Sequence, residues 1–171
     1  MKIIALDPSG NYGKTEGWGT TGIAFYIDGN VELEEIKASD FECKQAYWDR
    51  VLDTILYFDA DYVVYEGYRL YNHKGKNASM QSQSEMPTCK LIGIIEYMLW
   101  KDLYEDDELF KQFAADVKTR WSDDILVNLG ILERSGSKLL FKGEPTNTHK
   151  RDALRHLCHF KKYKLPKGEV G

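Results

Sequence analysis

Four polar residues stand at the edges of otherwise apolar segments: Asp7 ends IIALD, Glu66 ends YVVYE, and His149 and Asp152 open a C-terminal helical stretch. Cutting a phosphodiester with two divalent ions about 3.5–4 Å apart needs a cluster of oxygen ligands, one of which bridges both ions. Acids at the ends of neighbouring strands, faced by the first turn of a packing helix, build such a cluster from residues far apart in sequence. Alone, Asp7 reads as a strand-end Asp capping a turn before Pro8, and Glu66 as an acid at a strand exit, solvated or paired with Arg69. Side by side, two carboxylates repel each other unless a cation joins them, so a divalent metal is the economical explanation of the pair. His149 and Asp152 are three residues apart and so share one helical face. From spacing alone, a first-turn Asp complementing the helix dipole and a solvated terminal His explain that second pair equally well.

The elements that must position these residues follow from periodicity. Lys2 to Leu6 and Thr21 to Ile27 are β-rich apolar runs, and Asp28-Gly29 turns the chain into Val31 to Ile36, where apolar and acidic residues alternate. This predicts a three-stranded antiparallel meander with a DG hairpin. The segment PSGNYGKTEGWGT between the first two runs is a polar, Gly-rich loop beside Asp7. From Cys43 to Tyr57 the apolar residues Tyr47, Trp48, Val51, Leu52, Ile55 and Leu56 mark a helix with one buried face. Tyr62 to Glu66 is too short for a helix, and the helix before it makes it a parallel partner of the first strand, which brings Glu66 beside Asp7. Gly67 to Glu85 is a long polar loop with a functional role. Pro87 opens an apolar helix through Trp100, destined for the core or a subunit interface. Leu109 to Ala115 reads as a further strand, Ser122 to Leu129 as a short helix capped by Ser122, and Thr146 or Thr148 as the cap of the last helix. The order βββαβαβαα belongs to an α/β domain with a mixed sheet.

Composition sets the bounds. The 171 residues, 43% hydrophobic and 13% aromatic, suit a single domain spanning residues 1–171 with a real core. No apolar stretch approaches the roughly 20 residues that span a bilayer, and no secretory leader is evident, so the expectation is a soluble, cytoplasmic protein with no membrane partner. Cys43, Cys89 and Cys158 form neither a disulfide framework nor a zinc pair and are expected to be reduced and packed. The net charge of −4 is unevenly spread: from Lys142 onward there are eight Lys/Arg against three Asp/Glu, a balance of +5, which leaves −9 on the preceding residues. The basic end is the end that holds His149 and Asp152, a combination compatible with DNA. Lys150, Arg151, Arg155, Lys161, Lys162 and Lys164 are either a solvated face or phosphate contacts beside the site. In the polar loop, Tyr68, Arg69, Tyr71, His73, Lys74 and Lys76 combine rings with cations, the mixture that stacks on unpaired bases and holds backbones. His156 and His159 read as structural. No Walker A, CxxC or Ser/His/Asp arrangement is present.

The IIALDPSG start, the acid closing the strand after the first helix, the KLIGIIEYM helix, the FAADVKTRW segment and the closing HKRDALRHLCHF resemble a RuvC-like Holliday junction resolvase of the ribonuclease H and retroviral integrase superfamily. The likeness runs through most of the chain and implies an α/β ribonuclease H-like fold, a mixed five-stranded sheet with helices on both faces. Carried over by position, the family's first-strand Asp is Asp7, its second acid is Glu66, and its C-terminal pair is His149 and Asp152. Two Mg²⁺ ions per site are implied, with Mn²⁺ as a substitute. His149 would bind the second ion as neutral imidazole or, protonated, assist the leaving 3′-oxygen. The family's Pro-x-x-Val-Lys segment matches only in Val117-Lys118, which makes Lys118 a phosphate or transition-state contact. Departures are the loop enlarged by Asn11 to Trp18, Arg69 standing where relatives carry an aromatic, and the acidic whole.

The implied activity is a Mg²⁺-dependent, structure-selective endonuclease of DNA recombination and repair. It would resolve four-way junctions by paired symmetric nicks, as a homodimer suited to a two-fold substrate, in a bacterial cell or a phage-infected host. The alternatives are a broader branched-DNA nuclease of the same fold and a catalytically silent DNA-binding module. The actin-like ATPase fold also opens with a strand-end acid, but it requires two such domains, more than this length holds.

Overall fold

The computed structural model describes residues 1–13, 18–68, 86–102 and 108–165. Three strands, β1 (Lys2–Asp7), β2 (Thr20–Ile27) and β3 (Asn30–Lys37), form the antiparallel meander, with β1 in the middle of a larger sheet. Asp28 and Gly29 both take positive φ, 45° and 98°, as the two-residue turn between β2 and β3 requires. Helix α1 (Lys44–Phe58) returns the chain to β4 (Tyr62–Glu66), which pairs parallel to β1, and α2 (Pro87–Asp102) leads to β5 (Leu109–Gln112), parallel to β4. The five strands run in the order β3-β2-β1-β4-β5.

The side-chain period of two divides this sheet into two faces. On one, Ile4, Leu6, Ile23, Val63 and Tyr65 pack on Tyr47, Val51 and Ile55 of α1 and on Leu91, Ile92, Ile95 and Leu99 of α2. On the other, Ile3, Ala5, Ala24, Tyr26 and Val64 pack on Ala153, Leu157 and Phe160 of the last helix, α5 (Thr148–Tyr163). Because β1 is covered on both sides, it reads as an unbroken apolar run rather than an alternating one. The expected mixed five-stranded sheet with helices on both faces is what the chain forms.

Between β5 and α5 the structure differs from the sequence expectations. The strand ends at Gln112, and Ala114 and Ala115 instead open a short helix, α3 (Ala114–Lys118). Helix α4 (Asp123–Asn128) has Ser122 as its N-cap, as expected, its Oγ accepting from Ile125 N at 3.4 Å. A three-stranded antiparallel sheet follows, β6 (Glu133–Ser135), β7 (Lys138–Phe141) and β8 (Glu144–Pro145), which the sequence reading did not contain. A third apolar cluster, Val117, Trp121, Leu126, Leu132, Leu139 and Leu154, fastens this region to α5. The cap of α5 is Asn147, not Thr146 or Thr148: its Oδ1 accepts from Lys150 N at 2.9 Å, and its amide donates to Glu35 on β3. Among the cysteines, all three free, Cys43 is exposed at the start of α1 rather than packed. Among the described residues no helix is long and apolar enough to cross a membrane.

Candidate metal centre

The three carboxylates arrive at one point because of strand phase. Asp7 continues the Ile3-Ala5 face of β1 and Glu66 the Val64 face of β4, and pairing of Leu6 with Tyr65 sets the two acids side by side at the strand ends. Both face α5, whose first turns present His149 and Asp152 toward the sheet. The approach is close because Ala5 and Ala24 are small and Gly22 has no side chain. One ligand oxygen from each of Asp7, Glu66 and Asp152 lies within 4.8 Å of the others. The donors are all hard carboxylate oxygens, the set that suits Mg²⁺ or Mn²⁺ rather than zinc or copper.

Each acid also has a basic partner. His149 Nδ1 lies 2.8 Å from Asp7 Oδ2, His156 Nε2 lies 2.9 Å from Glu66 Oε2, and Lys118 Nζ lies 2.8 Å from Asp152 Oδ2. Arg155 donates to Asp152 Oδ1, to Asp123 Oδ1 and, through Nε, to the Trp121 carbonyl at 2.9 Å. Burial pushes the Asp7 carboxyl above its ordinary range; the His149 hydrogen bond opposes this, and the charges of Glu66 and Asp152 add to it. His149 is raised, first by its hydrogen bond to Asp7, against burial, with the charges of Asp7, Asp152 and Glu35 assisting. For Lys118, burial works to lower the ammonium, but Asp152, Glu66 and Asp7 together outweigh it and hold it above the ordinary value. A pocket that raises the pKa of an acid and of two bases at once has an excess of negative charge, which is the condition a divalent cation relieves.

The loop after Asp7 is fixed by side chains from three elements. Tyr47 Oη donates to the Ser9 carbonyl at 2.8 Å and shares a 2.8 Å hydrogen bond with Thr21 Oγ1, which in turn accepts from Ser9 N at 3.1 Å. Trp48 Nε1 donates to the Gly10 carbonyl at 3.0 Å, and Gly10 N donates to Thr88 Oγ1 at 3.2 Å. Gly10 is obligatory here, since a Cβ would stand 2.0 Å from the Pro87 carbonyl oxygen.

Of the residues singled out from sequence, the structure gathers Asp7, Glu66, His149, Asp152 and Lys118, with His149 on Asp7 and outside the three-carboxylate group. Arg151 is engaged elsewhere, Nε to Asp123 at 3.1 Å and Nη1 to the Thr146 carbonyl at 3.1 Å. Arg155, counted with the surface cations, is instead buried among Asp152, Asp123 and Trp121. Lys150 lines an open cleft of about 320 Å³ between β3 and the small sheet, with Val31, Leu33, Phe141 and Thr146. Tyr68 is exposed; Arg69, Tyr71, His73, Lys74 and Lys76 lie outside the described residues, as does the middle of the Asn11 to Trp18 loop. His156, read as structural, touches Glu66. The signal that finds it is its position four residues beyond Asp152, on the same helical face.

The α/β architecture with this strand order is the ribonuclease H-like fold of RuvC. The chain is similar to Thermus thermophilus RuvC solved in complex with a Holliday junction substrate, at 15% identity and TM-score 0.53, with 95% of each chain covered. It is also similar to T. thermophilus RuvC alone, at 15% identity and TM-score 0.50, covering 95% of this chain and 96% of that one. A fowlpox virus Holliday junction resolvase aligns over 95% of this chain and 99% of its own at 11% identity and TM-score 0.47. No protein-family model and no curated protein sequence matches the chain.

Proposed function

We propose that the chain is a divalent-metal-dependent endonuclease that resolves four-way DNA junctions by paired nicks, acting as a homodimer. The observation that carries this reading is the convergence of Asp7, Glu66 and Asp152 within 4.8 Å at the ends of β1 and β4 and the start of α5. The fold is shared with a RuvC solved with a Holliday junction. Asp7, Glu66 and Asp152 would hold the cations, Mg²⁺ with Mn²⁺ as substitute, His149 completing the set for a second ion. Bound there, such ions polarise the scissile phosphate and favour a nucleophilic water.

The chain's own groups supply the rest. Asp7, grouped with Glu66 and Asp152 and hydrogen-bonded to His149, would be the ligand shared by the ions. His149, held through Nδ1 on Asp7, keeps Nε2 for the second ion or for a proton passed to the leaving 3′-oxygen. Lys118, half exposed and paired with Asp152 at 2.8 Å, would lie within reach of a phosphate bound at the carboxylates and would offset the charge that grows on it in the transition state. Tyr68 and the loop cations Arg69, Lys74 and Lys76 would hold unpaired bases and backbone, and Lys150 would contact phosphate at the helix start, with Arg151 joining it only by exchanging its contact with Asp123.

The test mixes purified protein with a labelled immobile four-way junction and a matched linear duplex, in Mg²⁺, Mn²⁺ or EDTA, alongside Asp7→Asn. Paired symmetric nicks in the junction alone, lost in EDTA and in Asp7→Asn while binding persists, are expected. Equal cutting of the duplex would replace the reading with a broader branched-DNA nuclease; binding with no cutting in any metal would replace it with a silent DNA-binding module.

A further inference from the structure

Glu66 has a longer side chain than Asp7 or Asp152, with one more rotatable bond between backbone and carboxylate, so it requires more to hold it in a ligating pose. What holds it is a histidine that solvent does not reach. His156 is 0% exposed; its Nε2 lies 2.9 Å from Glu66 Oε2 and its Nδ1 3.0 Å from Gln112 Oε1. Glu66 and Gln112 are register partners at the ends of β4 and β5, so one imidazole bridges the two strand ends from the α5 side. Asp152 lies one turn before it on this helical face, and Ala153, Leu157 and Phe160, also adjacent, are apolar and in the core. An imidazole among them carries the cost of burying two polar nitrogens, and a core position needs no such group.

The hydrogen-bond direction follows from the carboxylate. An ionised Glu66 only accepts, so His156 Nε2 carries the proton, and in a neutral ring Nδ1 must then accept. Gln112, whose Oε1 stands 3.0 Å from Nδ1, would meet this need with its amide turned so that the nitrogen faces the ring, which gives Nε2 a partner and puts Oε1 in the position it vacates. The chain then runs from the Gln112 amide to His156 Nδ1, and from His156 Nε2 to Glu66. This bond comes from the buried side and uses one lone pair of Oε2, which leaves the remaining lone pairs of the carboxylate available to a cation. By contrast, His149 and Lys118, at 36% and 45% exposure, reach their acids from the side open to solvent.

We infer that His156 is a positioning residue of the metal centre, fixing the Glu66 carboxylate for the cation through the Gln112–His156–Glu66 chain. Hydrogen-bonded partners of ligating carboxylates act in this way, and losing one typically weakens metal affinity or activity about 10–100-fold. The inference rests on the metal reading of Asp7, Glu66 and Asp152.

The experiment titrates Mn²⁺ into the full chain by calorimetry at one pH, for wild type, His156→Leu and His156→Gln. Leucine keeps the bulk and drops the hydrogen bond, whereas glutamine restores a donor near Nε2. The expected result is a Mn²⁺ Kd raised about 10–100-fold in His156→Leu, largely recovered in His156→Gln, with junction cutting by His156→Leu restored at high Mn²⁺. Variants that melt lower but bind Mn²⁺ with the wild-type Kd would show a merely structural histidine and overturn the inference. Should His156→Leu not fold, the ¹⁵N signals of the wild-type imidazole decide: a protonated Nε2 that shifts on adding Mg²⁺ supports it, and an unprotonated Nε2 or an unmoved ring overturns it. Wild type without Mn²⁺ binding would overturn the metal reading and this inference with it, whereas normal wild-type binding with an unaffected His156→Leu overturns the inference alone.

Discussion

Gly22 of β2 lies directly beneath the backbone of His149: a Cβ at Gly22 would stand 2.1 Å from the His149 carbonyl oxygen and 2.9 Å from Lys150 N. The first turn of α5 therefore rests on bare strand backbone, which is how His149 and Asp152 come within reach of Asp7. Gly22→Ala must lift that turn, and because the obstacle is backbone on both sides it cannot be absorbed by a rotamer change. Overpacking of this kind costs about 1–3 kcal/mol. The expected outcome is a folded protein with a lower urea midpoint and cleavage depressed far beyond what the stability loss explains. A variant that cuts at the wild-type rate would show that the α5 approach is not what assembles the site.

Arg155 is the second structural support of Asp152. Its guanidinium bridges Asp152 and Asp123 and caps the Trp121 carbonyl, all at a buried position. Arg155→Ala leaves two acids without their shared counter-charge, and breaking a buried pair from one side typically costs about 3–5 kcal/mol. Arg155→Lys supplies the charge but not the planar fork, so it should recover only part of the loss. Denaturant melts of the two variants check the order wild type, Lys, Ala; equal stability of wild type and Ala would mean that Asp123 and Asp152 are accommodated by water.

The difference between what could and could not be read beforehand is physical. The alternation of Val31 to Ile36, the Asp28-Gly29 turn and the apolar faces of α1 and α2 are local patterns, and each produced the element it announced. Parallel pairing of β1 with β4 followed from the helix between them and so placed Glu66 beside Asp7. The small sheet escaped because its strands are two to four residues long and largely exposed. One of its turns is Lys142-Gly143, with φ of 51° and 82°, a pair without the Asn or Asp that usually marks this turn. Arg155 differs for another reason: residue type says surface, and only tertiary contacts to Asp123, Asp152 and Trp121 bury it, just as only the fold brings His156, read as structural, against Gln112 and Glu66.

Tyr47 links the loop after Asp7 to β2 and α1, and its hydroxyl has no contact with water. Burial, opposed by the hydrogen bond with Thr21, pushes its phenol up from 10.0 to about 12. A raised acid pKa means that the folded state favours the neutral form. The resulting stability is fully present below pH 10 and is lost as pH rises from 10 to about 12. Two units correspond to a loss on the order of 3 kcal/mol. Tyr47→Phe removes this dependence but also orphans the Ser9 carbonyl, costing roughly 1–3 kcal/mol at neutral pH. Urea midpoints at pH 8 and above pH 11 should therefore differ less in Tyr47→Phe than in wild type. Parallel pH curves for the two proteins would place the alkaline loss elsewhere.

Helix α2 uses one side for the core, through Leu91, Ile92, Ile95 and Leu99, and leaves Ile94, Tyr97 and Trp100 exposed at 36%, 57% and 64% on the other. Residues three apart on a helix lie in one stripe, so these three form a continuous apolar strip. A four-way junction offers two equivalent phosphodiesters related by a two-fold axis, and an isologous dimer through this strip would present two sites with the same symmetry. Trp100→Glu would place a charge in such a contact and is expected to convert a dimer into a monomer in sedimentation, with Asp7, Glu66 and Asp152 untouched. The same variant should nick junctions singly, without the paired second cut. A wild-type chain that sediments as a monomer at every concentration, with junction DNA present as well as without it, would remove the strip from the mechanism and leave paired nicking to successive independent encounters.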